Sequence, residues 1–310
     1  MPSGIVGYTK YRRDHLRNEG SGDFGIFKIM FIVVVVLFLF FLILQPQLVM
    51  EGVQEGLLLW YRVVLPAQLP FVIGVKLLFR CCSFRKIPAH LLCMFTGMIS
   101  GYPIGALSAA QLYQQGRVDS KDLAWLAASS NMAGPLFVIG TVGTGLLQNP
   151  LYGYSLLGVH WMSAWLMCIW GNRGRFCARR KKKTNAAENS KSFGIQSVNV
   201  IVEETAELML KIAVYIALFA VIRKGCGEIA GALLEITGGI RWLAEQPWDV
   251  RYKLSGCSFL INFSGLCILM QSLGVMEKAP VAFGKFILYK GIQGCFGAGI
   301  MLLFCHIFSM

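Results

Sequence analysis

Asn131-Met132-Ala133-Gly134, with Gly143 nine residues on, and Asn262-Phe263-Ser264-Gly265, with Gly274 nine residues on, are two copies of one pattern. Each interrupts a long apolar segment with an amide and helix-weakening glycines, which must serve a site or cost stability. Working outward, Glu55 and Arg62 match Glu204 and Lys211 at the same seven-residue spacing, and Ile99-Ser100-Gly101 matches Ile236-Thr237-Gly238. The pairs keep one order along the chain, with offsets of 149, 137 and 131 residues. Matched pairs in one order predict a two-fold repeat with slightly longer connectors in its first copy. A duplicated polar break in an apolar chain points to transport.

Of the 310 residues, 55% are hydrophobic and 15% charged, and the mean hydropathy is +0.59. A soluble domain of this size is far less apolar, so the chain is expected to be a multi-pass membrane protein in the lipid bilayer. Apolar segments fall at 27–44, 57–79, 87–115, 122–147, 151–170, about 205–222, about 228–246, 254–276 and 284–308. The first is long enough to span, and Gln45-Pro46-Gln47 after it is no small-residue cleavage site, so it is expected to stay as an anchor.

Positive charge fixes the topology. Residues 171–191 hold eight Lys or Arg against Glu188 alone, which marks a cytoplasmic loop rather than a nucleic-acid site. The N-terminal arm, the stretch with Arg80, Arg85 and Lys86, and the stretch with Arg117 and Lys121 are basic too, whereas 45–56 and 148–150, expected as loops, carry no Lys or Arg. All four basic regions share one side only if 87–115 enters and returns as a hairpin. Ser100-Gly101-Tyr102-Pro103-Ile104-Gly105 at its centre supplies the break. The second repeat then starts from the opposite side, with 228–246 as its hairpin and Glu235-Ile236-Thr237-Gly238-Gly239 as the tip.

The expected fold class is therefore all-α: a polytopic membrane protein of inverted repeats with two re-entrant helical hairpins and broken transmembrane helices. The expected divisions are a basic arm and anchor (1–50), a first gate repeat (51–170), a basic linker (171–200) and a second, inverted gate repeat (201–310). Broken helices place free backbone groups at mid-membrane, where they are tolerated only if they line a cavity or meet a solute. The candidate substrate-binding residues are Ser100, Gly101, Tyr102, Asn131, Gly134, Glu235, Thr237, Gly238, Asn262 and Ser264, with Gln271 nearby. Hydroxyls, amides and half-helix N-termini suit a small polar, anionic solute. Each has a plainer alternative: Ser100 and Thr237 as helix caps, the two Asn as helix-to-helix ties, the glycines as close-packing points, and Glu235 as an interfacial acid.

Of the ten cysteines, Cys93, Cys168, Cys257, Cys267, Cys295 and Cys305 lie in apolar segments and read as buried small hydrophobes, no C-x-x-C pair exists, and the four histidines have no ligand spacing, so neither metal nor cofactor is expected. Phosphate-loop, nucleophile-elbow and H-E-x-x-H motifs are lacking, so an enzyme is not expected.

Ser100-Gly-Tyr-Pro-Ile-Gly105, Ser130-Asn-Met-Ala-Gly-Pro-Leu-Phe137 and Leu234-Glu-Ile-Thr-Gly238 resemble the sporulation integral membrane proteins of the YlbJ type, over about residues 50–305. That group lies within the nucleoside-recognition or gate-domain family, which looks like the core of concentrative nucleoside transporters and the gate part of the ferrous-iron permease. The resemblance implies an endospore-forming bacterium and movement of dipicolinic acid across the outer forespore membrane. Two alternatives stand beside it: a nucleoside-type solute carrier, and a non-transporting gate-fold protein of spore-envelope assembly. A coupling proton or cation and a homo-oligomer are left open.

Overall fold

The computed structural model describes residues 23–81, 84, 86–171, 195–276 and 279–308. The basic arm and most of the basic linker lie outside them. The chain divides into two compact units, Met1–Met50 and Glu51–Met310. The first contributes α1 (Asp23–Leu44), apolar on every side along 29–44.

Within the described residues every regular element is helical. α2 (Pro46–Cys81) is one stretch of 36 residues, widened by a π-helical turn at Trp60–Val64. α3 (Ala89–Ser100) and α4 (Ile104–Gln114) follow, then α5 (Ser120–Ser130), the π-helical α6 (Phe137–Leu146) and α7 (Pro150–Gly171). The second series is α8 (Ile195–Gly225), α9 (Glu228–Leu234), α10 (Ile236–Glu245), α11 (Val250–Phe263), α12 (Gly265–Val275) and α13 (Phe283–Ile307). One order thus occurs twice: a long helix, a helix pair, a broken helix and a further long helix. Among the described residues, Pro46–Cys81, Val198–Gly225, Val250–Val275 and Phe283–Ile307 are long and apolar enough to cross a membrane.

The stretch 45–56, expected as a loop, is helical instead. Its Glu51, Gln54 and Glu55 depress the local hydropathy, but the acids have partners far away in sequence. Glu55 pairs with Arg223, and Lys224 reaches Glu51 at 3.2 Å. At the other end of the same two helices Lys76 meets Glu204 at 3.0 Å. The start of α2 therefore lies beside the end of α8, and its end beside the start of α8, so the two run antiparallel. Gly52 and Gly56 bring the backbones together: a methyl group on Gly56 would sit 2.7 Å from the Ala217 Cα. Such half-exposed ion pairs are worth under about 1 kcal/mol each, so close packing supplies most of the attachment. In a chain with exposed Cys81, Cys226 and Cys295 replaced, the pairs Glu51→Cys with Lys224→Cys and Lys76→Cys with Glu204→Cys should cross-link with a short bis-maleimide. Glu51→Cys with Glu204→Cys should not.

Both helix pairs reverse the chain sharply. A methyl group on Gly105 would lie 3.1 Å from the Gly97 Cα, and one on Gly239 would lie 2.8 Å from the Ala232 Cα, so residues on either side of each tip touch. The open ends are tied as well. Arg117 donates to the carbonyls of Ile87 at 2.6 Å and Phe84 at 3.3 Å, and the Trp242 indole donates to the Glu228 carboxylate at 2.6 Å. Each pair is a hairpin with its ends on one side of the molecule.

The broken helices interrupt where the two Asn-x-x-Gly patterns stand. After Ser130 the helix gives way to a tight turn at Asn131, closed by the Met132 N–H on the Ser130 carbonyl at 3.0 Å, and irregular chain to Gly134; Pro135, which lacks an N–H and disfavours helix before it, restarts the helix. In the second copy only Ser264 interrupts, left-handed at φ 79° and followed by Gly265 at φ 71°.

Candidate functional site

Hairpin tips and helix breaks meet. Gly101, at φ 76°, approaches the first break so closely that a methyl group there would be 2.8 Å from the Gly134 N. At the second break a methyl group on Gly265 would lie 3.3 Å from the Leu234 carbonyl oxygen and 3.4 Å from the Ile236 N, against the second tip. Tyr102 crosses between halves, its hydroxyl donating to the Ile261 carbonyl at 2.6 Å.

Behind the breaks lies a buried polar network. Asn262, wholly buried, is its hub: Oδ1 accepts from the His160 Nδ1 at 2.8 Å, the Ser163 hydroxyl, and the Gln293 Nε2 at 3.4 Å. Its Nδ2 donates to the Ser258 carbonyl at 2.8 Å. The His160 Nε2 accepts from the Ala133 N–H in the first break at 2.9 Å, so the ring proton sits on Nδ1 and His160 is a neutral tautomer. This one ring thereby links the two breaks. Asn131 donates from Nδ2 to the Ser272 hydroxyl at 2.9 Å, while its carbonyl accepts from the Lys290 Nζ at 2.9 Å. Lys290 also donates to the Gln293 Oε1 at 3.1 Å, so Asn131 and Asn262 are joined through Lys290 and Gln293.

Three buried oxygens at the tips and breaks have no hydrogen-bond partner: the Ser100 Oγ, the Asn131 Oδ1 and the Ser264 Oγ, the last beside Tyr102 but outside hydrogen-bonding geometry. Buried polar groups normally find partners, so these three mark unmet demand at the tips and breaks; four further orphans occur among the described residues, on Trp60, Gln68, Trp161 and Arg223.

Glu235 and Thr237 stand apart from this network. Glu235 is buried, and its two carboxylate oxygens accept from the Thr237 N at 2.8 Å and the Gly238 N at 2.6 Å. The acid caps α10, and neither Ser100 nor Thr237 makes a capping bond. Gly238 packs under Arg223, where a methyl group would lie 3.2 Å from the guanidinium. Gln271 donates to the Cys267 Sγ at 3.1 Å and lines a separate cleft of about 310 Å³ with Lys211 and Tyr215.

Candidates from the sequence therefore sort into those that meet at the breaks (Ser100, Gly101, Tyr102, Asn131, Gly134, Asn262, Ser264) and those that build the second tip (Glu235, Thr237, Gly238). Sequence reasoning missed His160, Ser163, Ser258, Ser272, Lys290 and Gln293. Their signal was spacing: His160 with Ser163, and Lys290 with Gln293, stand three apart on one face of an otherwise apolar helix. Of the cysteines read as buried, Cys93, Cys168, Cys257, Cys267 and Cys305 are so, while Cys295 is exposed.

The chain is similar to the sporulation integral membrane protein YlbJ of Bacillus subtilis (strain 168), 25% identical over an alignment of 319 residues that covers 84% of this chain and 78% of that protein. This bears out the YlbJ-type resemblance drawn from the strings around Ser100 and Asn131. No protein-family model and no solved structure matches the chain. With its long apolar helices, the similarity establishes an integral membrane protein.

Proposed function

We propose that this chain is a secondary transporter or facilitator for a small polar, anionic solute, built as two inverted repeats whose hairpins are re-entrant. The observation that carries the reading is the orphaned buried oxygens of Ser100, Asn131 and Ser264, residues of the first tip and the two breaks. Polar atoms left bare in a membrane chain are costly unless a solute meets them, and freed backbone at a break is tolerated on the same terms. The antiparallel run of α2 against α8 supports the inversion, because corresponding helices of the two series would then cross in opposite senses. Hairpins whose ends are tied on one side support re-entry, since arms of 12 and 11 residues in the first and 7 and 10 in the second extend only about 10–18 Å.

Dipicolinic acid crossing the outer forespore membrane is the solute and setting we favour, with a proton or cation as coupling ion. Similarity to a protein named for sporulation supports it, as do the Ser100 and Ser264 hydroxyls, whose O–H groups can donate to a planar anion's oxygens. No catalytic role is assigned to any residue.

Reconstitution in liposomes tests the reading. The parent protein should take up pyridine-2,6-dicarboxylate faster than empty vesicles and faster than it takes up uridine. Uptake of uridine alone would make it a nucleoside-type carrier, and uptake of neither would leave an assembly protein. Cysteine labelling at positions 84, 118 and 185 should report one common side, and opposite sides for 84 and 118 would end the re-entrant hairpin.

A further inference from the structure

Lys290 is wholly buried in the middle of α13, and among the described residues no Asp or Glu lies within ion-pairing distance of it. Its two acceptors, the Asn131 carbonyl and the Gln293 Oε1, are neutral single oxygens. An ammonium has three N–H donors, so the third has no acceptor here. On Asn131 itself the Oδ1 is fully buried and has no partner among the described residues, an acceptor that calls for a donor and not for an anion. For stability alone this arrangement is poor. A buried charge without a counter-charge is expensive, and a methionine would fill the same volume without that demand. The polar groups of the network that reaches Lys290 offer no charge to balance it: Asn131 from α5, His160 and Ser163 from α7, Asn262 from α11, Ser272 from α12 and Gln293 from α13 are all uncharged dipoles.

We propose that Lys290 is the docking charge for a solute carboxylate, with the Asn131 carbonyl holding that carboxylate oxygen's place while no solute is bound. The inference rests on the transport reading and goes beyond it by naming the residue that selects the solute's charge. A carboxylate oxygen replaces the carbonyl oxygen at the ammonium with little change in geometry but a large gain in attraction, since charge-assisted bonds are roughly twice as strong as neutral ones. Its departure from Lys290 releases the first break, because Asn131 is then held by Ser272 and its own helix alone. The Asn131 Oδ1 is left to a donor on the solute or to a water carried in with it. Lys290 therefore acts both as the anion's partner and as a latch on the break, closed by a neutral oxygen and opened by a charged one.

Binding and uptake separate this from the transport reading. Thermal unfolding of the purified full-length chain in detergent is measured with pyridine-2,6-dicarboxylate, uridine or inorganic phosphate, and uptake is followed in liposomes. The dicarboxylate should stabilise the parent, while uridine and phosphate should not. Lys290→Met should weaken dicarboxylate binding at least about tenfold, and Lys290→Arg should recover part of it. If Lys290→Met does not fold, Asn131→Asp decides. It supplies a carboxylate within the chain beside Lys290, so it should raise the unfolding temperature without solute and abolish stabilisation by the dicarboxylate. Unchanged dicarboxylate binding in Lys290→Met or in Asn131→Asp overturns the proposal, as does equal stabilisation of the parent by phosphate or uridine. Uptake by the parent that persists in Lys290→Met leaves transport standing and removes Lys290 from it. Binding through Lys290 without uptake keeps the site and removes transport.

Discussion

Asn262→Ala should lose both stability and solute movement, whereas Asn131→Ala should lose solute movement alone. Sequence symmetry treats the two amides as equivalents, but their surroundings differ. Asn262 accepts from His160, Ser163 and Gln293 and donates to Ser258. Truncation strands the His160 and Gln293 donors in a dry interior, at about 1–3 kcal/mol for each that finds no new partner, while the Ser163 hydroxyl still donates to the His160 carbonyl at 2.9 Å. Transmembrane networks relax in part, with single bonds there averaging about 0.6 kcal/mol, so the expected loss is about 2–4 kcal/mol. Asn131 gives one side-chain bond, to a Ser272 hydroxyl that still donates to the Ile268 carbonyl at 2.7 Å. Losing it should cost about 0.6 kcal/mol. Denaturation in detergent alongside liposome uptake checks both; equal stability losses would mean that the hydrogen-bond hub does not govern this site.

The difference between the two amides shows what the sequence discloses and what it hides. Hairpins were legible because glycine and proline at Gly101–Pro103 break a helix by local sterics, and because positive loops choose a side. The breaks were legible because an amide inside an apolar run stands out against its neighbours. Lys290 and His160 did not stand out, for a physical reason. Each sits on a helix that must also face lipid, and draws its meaning from groups more than a hundred residues away, as with His160 and Asn262 or Lys290 and Asn131. The helical start of α2 was hidden in the same way. Glu51 and Glu55 look like loop acids until Arg223 and Lys224 arrive from α8. Glu235 reverses the pattern: it stands out in the sequence as an acid inside an apolar segment, but its partners are on its own helix start, Thr237 and Gly238, so a local cap accounts for its burial.

Substituting the glycines that seat the first hairpin should give the largest structural effect. A methyl group on Gly97, and equally one on Gly105, would fall 1.8 Å from the Ser130 carbonyl oxygen, which is backbone and has no rotamer by which to withdraw. Gly97→Ala and Gly105→Ala must therefore push the hairpin off the break or move Ser130, each at about 1–3 kcal/mol or more. Moving Ser130 also moves Asn131, whose carbonyl is the acceptor of Lys290, so uptake should fall even in protein that still inserts. Both clashes are with one atom, so the substitutions should couple. Once the first has displaced Ser130 the second meets less resistance, and the double variant should lose clearly less than the two single losses combined. Gly158→Ala and Gly291→Ala serve as controls, since nothing lies within 4 Å of an added methyl group at either, and helix propensity favours alanine there by up to about 1 kcal/mol. Unfolding midpoints for these five variants give the decision. Strictly additive losses at Gly97 and Gly105, or losses no larger than at Gly158 and Gly291, would show that the hairpin does not rest on the break, and the meeting of tip and break that underlies the proposed site would go with it.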